Sequence, residues 1–532
     1  MEYDFVIVGA GSAGCALANR LSADSRHRVA LVEAGGSDSS PWIHIPVGYF
    51  KTINDRRLNW MYRTEPDPGI AGRAIDWPRG KTLGGSSSIN GLLYVRGQPQ
   101  DYDNWRQLGN VGWSWEDVLP YFRRSESWEG GEDNHRGGSG PLTVSRSGKS
   151  WSVVDAWIKA AEACGFPYNE DYNGASQEGI GYFQLTARNG LRCSSAKAYL
   201  SGIKSRPNLH IITHALAAGL IFDGKRASGV RVLRNGEEQV ITARREVILS
   251  SGAIGSAQLL MLSGIGDRDQ LSSHGIEVRH HCPGVGRNLQ DHLQARPVYK
   301  VSVPTINTRT RGPLNMARIA LQYALTRSGP MTMAASLGTG FLRTRPELDS
   351  PDIQFHIQPF SADKPTEGTH TFDAFTASVL QLRPESAGEI RLKSSNPRDY
   401  PAIHPNYLAT RLDQETLVEG IRIARRICRQ QPVRDMITEE MRPGSELADD
   451  DYDGLLDWAR HNSTTIYHPT GTCKMGKDAQ AVVDHRLRVH GIEGLRVADA
   501  SIMPRIVSGN TNAPAIMIGE KASDMILEDA RT

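Results

Sequence analysis

Short apolar runs near the start of the chain predict strands joined by a glycine turn and a helix. Residues 5–8 are four apolar residues in succession, and residues 15–21 after the glycines have the pattern of a helix. A second apolar run, residues 29–32, ends at Glu33. Strand, turn, helix and strand in this order are typical of a parallel βαβ unit.

The turn between the first strand and the helix has the spacing of a dinucleotide site. Glycines at 9, 11 and 14 permit a tight turn, let backbone N–H groups approach a pyrophosphate, and allow close helix packing. Glu33 lies where a ribose 2′-hydroxyl needs an acceptor. Because an acid there disfavours a 2′-phosphate, we predict a dinucleotide other than NADP.

Further strand-like runs far downstream, at 246–250 and 495–499, would complete the same sheet. A length of 532 residues also favours two or three structural units. We therefore predict a dinucleotide-binding domain split by insertions. Its three parts are 1–155, 206–295 and 462–532, and the two inserted parts, 156–205 and 296–461, form a substrate-binding cap.

Charge and composition exclude several classes of function. The chain has 61 basic and 59 acidic residues, a net charge of +2, and no polybasic tail, which excludes a nucleic-acid partner. Six scattered cysteines favour a reducing compartment, and we see no export signal and no apolar stretch of about 20 residues. We therefore predict a cytoplasmic protein. The residues 280–282, His-His-Cys, lack the spacing of a metal site.

One predicted helix, residues 416–430, places four arginines on a single face: Arg422, Arg425, Arg426 and Arg429. Such a face could contact an acidic membrane surface or a redox partner, so peripheral membrane contact is one interpretation. The other is an ordinary solvated helix face opposite apolar residues.

The C-terminal part of the chain carries residues that could move a proton beside the dinucleotide. Where a hydroxyl proton and a hydride leave one C–O unit, a base must lie beside a hydride acceptor. His468 suits the base. Asn512, within the turn-rich segment 509–514, suits a donor to the developing alkoxide.

Taken together, these motifs resemble the glucose–methanol–choline (GMC) oxidoreductases, which are FAD-dependent alcohol-oxidising enzymes. Beyond the glycine turn and Glu33, the resemblance rests on five segments in the order of the family: 78–91, 251–266, 284–292, 499–504 and 509–514. It spans essentially the whole chain. It implies an α/β fold, with a Rossmann-like FAD-binding domain split by insertions and a cap containing an antiparallel sheet and helices.

The resemblance also implies which residues line the FAD. They are Gly9, Gly11, Ser12, Gly14, Glu33, Gly84, Asn90, Gly91, Leu92, Ala217, Tyr467, Asp499, Ala500 and Thr511. Some members attach FAD through a histidine at the position of Ile89. Isoleucine cannot form that bond, so we expect non-covalent FAD.

The activity implied is oxidation of a primary alcohol to an aldehyde, with proton abstraction by His468 and hydride transfer to flavin N5. Within the family, the motifs are most similar to bacterial dehydrogenases of aliphatic alcohols or polyethylene glycol. Trp60, Met333, Leu337 and Tyr467 suit an apolar or aromatic alcohol. Leu337 stands where we align the acid of choline-handling members, which disfavours choline.

Several alternatives remain open. Bulky Ile89 and Ile466 near the flavin favour a dehydrogenase that passes electrons to a quinone or another acceptor, and the alternative is an oxygen-using oxidase. A choline dehydrogenase-like enzyme is a further alternative within the family. A hydroxynitrile lyase, a fatty-acid photodecarboxylase and a flavin-binding protein without catalysis belong to other classes.

Overall fold

Two large β-sheets organise the protein in a computed structural model that describes residues 2–148, 150–363 and 368–531. The strands, in chain order, are β1 (Glu2–Val8), β2 (Val29–Val32), β3 (Tyr62–Arg63), β4 (Asp76–Trp77), β5 (Glu126–Trp128), β6 (Leu142–Arg146), β7 (Gly179–Tyr182), β8 (Gln184–Leu185), β9 (Ala187–Arg188), β10 (Leu191–Arg192), β11 (Leu209–Ile212), β12 (Ala215–Asp223), β13 (Arg226–Arg234), β14 (Glu237–Leu249), β15 (Ile265–Gly266), β16 (His280–His281), β17 (Leu293–Ala295), β18 (Val298–Val301), β19 (Gly338–Leu342), β20 (Ile353–Gln358), β21 (Ala374–Gln381), β22 (Glu389–Arg391), β23 (Ala402–His404), β24 (Ile437–Arg442), β25 (Thr464–Thr465) and β26 (Leu495–Val497).

The helices cover both sheets. In chain order they are α1 (Ser12–Leu21), α2 (Pro41–His44), α3 (Tyr49–Thr52), α4 (Pro99–Gln107), α5 (Trp115–Ser125), α6 (Ser152–Ala163), α7 (Gly252–Leu262), α8 (Arg268–Ser273), α9 (Ile306–Arg309), α10 (Pro313–Thr326), α11 (Arg411–Cys428), α12 (Tyr452–Asn462) and α13 (Asn512–Asp529). Short 3₁₀ turns and one π-helical turn (Ala196–Leu200) connect them.

The first sheet has the order β11-β2-β1-β14-β13-β12, and β26 also pairs with β14. Strands β11, β2, β1, β14 and β26 pair in parallel with one another, and β1 is buried at every position after Glu2. Continuous apolar runs are expected in parallel strands that helices cover on both faces. Because β14 and β26 join the sheet of β1, the predicted splitting of this Rossmann-like unit is confirmed.

The second sheet has the order β24-β18-β21-β20-β19-β7, with β17 and β25 attached beside β21. All of its described strand pairs are antiparallel. The predicted cap with an antiparallel sheet is therefore confirmed. The sheet draws its strands from 179–182 and 293–465, so the chain passes repeatedly between the two sheets.

The arginine face of α11 is not a free cationic surface. Arg425 is buried, with 1 % of its side chain exposed, and forms ion pairs with Glu440 and Asp449. Arg429 also pairs with Asp449, and the Arg422 guanidinium donates to the backbone carbonyl of Asp449. Among the described residues, no helix is long and apolar enough to cross a membrane.

Candidate active site

A cavity of about 610 Å³ lies between the two sheets. At one end are the glycine turn after β1 and the acid that follows β2. At the other end are side chains from β17 and β20 of the second sheet, together with the segment around His468. The cavity therefore joins the predicted dinucleotide site to the predicted catalytic residues.

The glycine turn is shaped for close backbone approach. Gly9 has a φ of +105°, and a Cβ atom there would lie 2.4 Å from the carbonyl oxygen of Ser250. A Cβ on Gly14 would lie 1.9 Å from the carbonyl oxygen of Gly9. At Gly11, by contrast, the nearest atom would be 3.8 Å away. The turn is tightly packed at 9 and 14 and leaves space at 11, as a phosphate-binding turn requires.

Glu33 lies at the end of β2 beside this turn. Its carboxylate accepts hydrogen bonds from the backbone N–H groups of Ala10, at 3.0 Å, and Gly35, at 2.7 Å. Burial raises the pKa of Glu33 to about 7, although these two donors oppose that shift. Each carboxylate oxygen retains acceptor capacity, so the residue fits a ribose hydroxyl.

Most of the predicted cofactor residues line the cavity. Those that do are Gly9, Gly11, Ser12, Glu33, Asn90, Gly91, Ala217, Tyr467, Asp499, Ala500 and Thr511. Gly14, Gly84 and Leu92 are not among the lining residues. Gly14 packs against the turn, and the Gly84 N–H donates to the carbonyl oxygen of Ala10, so both support the loop from behind.

His468 is held by a buried carboxylate. Its backbone N–H donates to Asp291 at 2.7 Å, and the other carboxylate oxygen accepts from Thr465, at 2.6 Å, and Tyr407, at 2.5 Å. The preceding residue, Tyr467, has a φ of +72°, an unusual conformation for a side chain of this size. These bonds fix the sharp backbone turn that directs the His468 side chain to the cavity, where it is 6 % exposed.

The His468 ring contacts a second histidine that follows Asp291 directly. His292 Nδ1 lies 3.0 Å from His468 Nδ1, and His292 Nε2 lies 2.9 Å from the carbonyl oxygen of Leu382. A carbonyl can only accept, so His292 Nε2 carries the proton. Burial lowers the pKa of His292 to about 4, so its Nδ1 is an acceptor and His468 Nδ1 carries a proton.

On the opposite side of its ring, His468 contacts an asparagine that the sequence reasoning missed. Asn510 Nδ2 lies 3.0 Å from His468 Nε2. The predicted partner, Asn512, accepts instead from the Ser12 hydroxyl at 2.7 Å. The structure therefore places Asn510 beside the histidine and Asn512 beside the glycine turn, although both line the cavity.

The electrostatic surroundings keep His468 neutral. Burial lowers its pKa well below the usual histidine value, and His292, His356 and Arg79 lower it further. A neutral histidine with Nδ1 protonated has its lone pair on Nε2, the nitrogen that faces Asn510. The ring is therefore in the form that can accept a proton.

The end of the cavity near His468 combines aromatic and polar side chains. The aromatic residues there are Tyr49, Phe50, Trp60, Tyr62, Phe360 and Tyr467. The polar residues are Gln294, Arg296, Ser336, His356 and Gln358. Trp60 and Tyr467 were expected in this region. Met333 and Leu337 are not among the lining residues and pack in the core.

One signal for the missed residues was present in the sequence. His292, Gln294 and Arg296 alternate along an apolar segment, which is the pattern of a strand with one polar face. Which cavity this face would line depends on strand pairing, which the local sequence does not give.

Comparison with known proteins extends over nearly the whole chain. The family model described as GMC oxidoreductase matches residues 3–294 with its N-terminal part and 384–519 with its C-terminal part. The chain is 44% identical over 539 residues to mitochondrial choline dehydrogenase of Mus musculus, covering 99% of this chain and 89% of that protein. It is 41% identical over 536 residues to alcohol dehydrogenase [acceptor] of Pseudomonas putida, covering 99% and 96%.

A solved structure gives the same result for the fold. A formate oxidase variant from Aspergillus oryzae RIB40, in a structure that addresses FAD modification, matches with a TM-score of 0.91 and 30% identity. The match covers 100% of this chain and 99% of that one.

Proposed function

Because this chain belongs to the GMC oxidoreductases and its cofactor is FAD, we propose that it oxidises a primary alcohol to an aldehyde, with His468 as the base. Bound FAD supplies the hydride acceptor. The residues that would hold it are those that line the cavity around the glycine turn, Glu33 and Asp499. We propose non-covalent binding, since Ile89 lines the cavity without a nucleophilic atom.

The chain of hydrogen bonds from Leu382 through His292 to His468 is the main observation that supports His468 as the base. The Leu382 carbonyl fixes the proton of His292, and His292 in turn fixes the proton of His468 on Nδ1. His468 Nε2 therefore carries its lone pair inside the cavity before any substrate binds, and accepts there from Asn510. A base that is already deprotonated and oriented needs no preceding proton transfer.

Asn510 completes the arrangement. In the free protein its amide nitrogen donates to His468 Nε2. When the alcohol hydroxyl donates to Nε2 instead, the amide is free to donate to the alcohol oxygen as that oxygen becomes negative. We assign this stabilising role to Asn510 and a supporting role at the glycine turn to Asn512.

We propose that electrons leave to a quinone or another carrier rather than to oxygen. Ile89 and Ile466 both line the cavity, and their bulk would restrict the space open to oxygen beside bound FAD. We propose a cytoplasmic protein that contacts the membrane surface peripherally, where it could reach a quinone.

Helix α10 supports that contact better than α11 does. Of its fourteen residues only Tyr323 is buried, and Leu314, Leu321 and Leu325 are exposed by 86%, 60% and 75%. From 302 to 346 the sequence has six arginines and no acidic residue. Exposed leucines flanked by arginines match an anionic membrane surface.

Choline dehydrogenase activity is the second candidate, because relatives at 44% identity carry that name. The aromatic lining could surround a quaternary ammonium. Three carboxylates line the cavity in the described part of the chain. Glu33 and Asp499 bond to backbone N–H groups at the dinucleotide end, and Asp399 lies exposed at the rim. None is positioned near His468 to pair with a cation, which favours another alcohol.

Anaerobic stopped-flow absorbance tests the proposal. The purified holoenzyme is mixed with aliphatic, benzylic and choline alcohols, and then with oxygen or a quinone analogue. Bleaching of the oxidised flavin by an alcohol, with fast recovery on quinone only, is the expected result. Fast recovery on oxygen would identify an oxidase. No bleaching by any alcohol would contradict the proposal and favour a lyase, in which the flavin does not change redox state.

A further inference from the structure

Arg296 is a buried cation without an ionic partner. It is 8 % exposed, and its one described hydrogen bond runs from Nη2 to the Gln358 side-chain oxygen at a long 3.3 Å. It forms no salt bridge with any carboxylate of the described residues. A guanidinium has five N–H donors, and burying such a charge is costly unless it is paired and hydrogen-bonded.

Other buried arginines of this protein show what a satisfied environment looks like. Arg96 and Arg136 share the carboxylate of Glu126. Arg192, which has no carboxylate partner, donates four hydrogen bonds to oxygens of Ile43, Ser87 and Asn90. Arg296 has neither kind of partner, and it lines the cavity. Its missing acceptor is therefore a group that enters the cavity.

One extended segment, residues 292–296, determines the distance between Arg296 and the histidine that contacts the proposed base. His292, which contacts His468, and Arg296 are four residues apart, with Gln294 between them, and both Gln294 and Arg296 line the cavity. At about 3.3 Å per residue, the two Cα atoms are roughly 13 Å apart. Because its partner Gln358 lies on β20, Arg296 is on the side of the cavity that the second sheet forms.

Three neutral polar side chains lie near Arg296: His356 and Gln358 on β20, and Ser336 just before β19. Ser336 lies 3.2 Å from the Gln358 amide nitrogen and 3.3 Å from His356 Nδ1, while His356 Nε2 is buried without a described partner. A guanidinium beside hydroxyl, amide and imidazole groups, with no carboxylate, is complementary to an oxyanion.

We propose that the substrate is an alcohol that carries a carboxylate, and that Arg296 binds this carboxylate while the hydroxyl lies at His468. This inference rests on the proposed alcohol oxidation and names its substrate class. A planar guanidinium binds a carboxylate through two parallel hydrogen bonds, which also orients the molecule. The same charge repels choline.

The test compares matched substrates that differ only in charge. The wild-type holoenzyme receives 4-(hydroxymethyl)benzoate, its methyl ester, and a series of linear ω-hydroxycarboxylates with their methyl esters. We expect at least one acid to be oxidised with a kcat/KM about 30-fold or more above that of its ester. Esters that equal or exceed every acid would overturn the inference.

Variants then assign the effect to Arg296. In Arg296→Gln the advantage of the acid is lost, because kcat/KM for the acid falls by much more than kcat/KM for the ester. Arg318→Gln, on the exposed face of α10, removes the same charge and is the matched control, which should retain the preference. Equal losses for acid and ester in Arg296→Gln would show a merely structural role. Arg296→Lys, which keeps the charge without the planar fork, should retain part of the preference.

A binding measurement separates this inference from the proposed function. Calorimetric titration uses 4-methylbenzoate, and the non-oxidisable carboxylates that match the linear acids, against wild type and Arg296→Gln. If wild type binds the carboxylate and Arg296→Gln does not, the carboxylate site is supported. If, in addition, no alcohol bleaches the flavin, only the proposed alcohol oxidation is rejected. If neutral alcohols bleach the flavin but the protein neither binds the carboxylates nor prefers acids to their esters, only the carboxylate site is rejected.

Discussion

Replacing His292 by leucine should slow flavin reduction without removing the flavin. Leucine has a volume close to that of histidine, so the main loss is the acceptor that His468 Nδ1 uses at 3.0 Å. Without this acceptor, the His468 tautomer with its proton on Nε2 becomes the more stable one, because the Asn510 side chain can rotate and accept a hydrogen bond from Nε2. The ring would then present a donor, not a lone pair, to the substrate.

The size of the effect follows from the cost of an unsatisfied buried donor. Leaving such a group unpaired costs about 1–3 kcal/mol, and each 1.4 kcal/mol shifts an equilibrium tenfold. The productive tautomer of His468 should therefore be about 5- to 140-fold less populated. The rate constant of anaerobic flavin reduction by a primary alcohol should fall by the same factor.

His292→Asn is the matched variant. Its side-chain oxygen can stand near the position of the lost Nδ1 and accept from His468, so we expect reduction within about fivefold of wild type. The assay is stopped-flow absorbance, with FAD content measured for each protein. If the leucine variant reduces its flavin at the wild-type rate, or if both variants lose equally, His292 does not set the tautomer.

Further outcomes follow from the same geometry. Asn510→Ala should lower the flavin reduction rate about 100-fold with FAD content unchanged, whereas Asn512→Ala should lower FAD affinity first; equal rate losses in both would contradict the assignment. Because burial holds the pKa of His468 below the usual 6.5, its basic form persists as pH falls, and the reduction rate should stay level from about pH 8 through 6.5. A midpoint near pH 6.5 in that profile would show that the base is not desolvated. Co-sedimentation with anionic phosphatidylglycerol vesicles should be weakened by Leu321→Glu with Leu325→Glu, and an unchanged bound fraction would remove α10 as the membrane contact. Acid or heat denaturation should release FAD from the polypeptide, and flavin that stays with the denatured chain would show a covalent bond.

Much of the fold could be predicted because its strands are contiguous apolar runs. Residues 29–32 and 246–250 were recognisable as strand-like runs of one sheet, and the strands observed there, β2 and the end of β14, both lie in the first sheet. The antiparallel pairing of the cap came only from the family resemblance, since register between distant strands depends on contacts that local patterns do not show.

The site was less predictable where two asparagines close in sequence could each contact His468. Asn510 and Asn512 are two residues apart, and α13 begins at Asn512. That start directs Asn512 to Ser12, while Asn510, before the helix, contacts His468. Arg296 was missed for another reason. Its significance is the lack of a partner, which only the packed structure reveals.

Anaerobic flavin reduction by a primary alcohol, compared between wild type and His468→Gln, tests directly whether His468 is the base. Glutamine keeps a polar side chain but has no basic nitrogen, so FAD should remain bound while the reduction rate falls about 10²- to 10⁴-fold. Bleaching at the wild-type rate in the variant would show that another group removes the hydroxyl proton and that His468 is not the base.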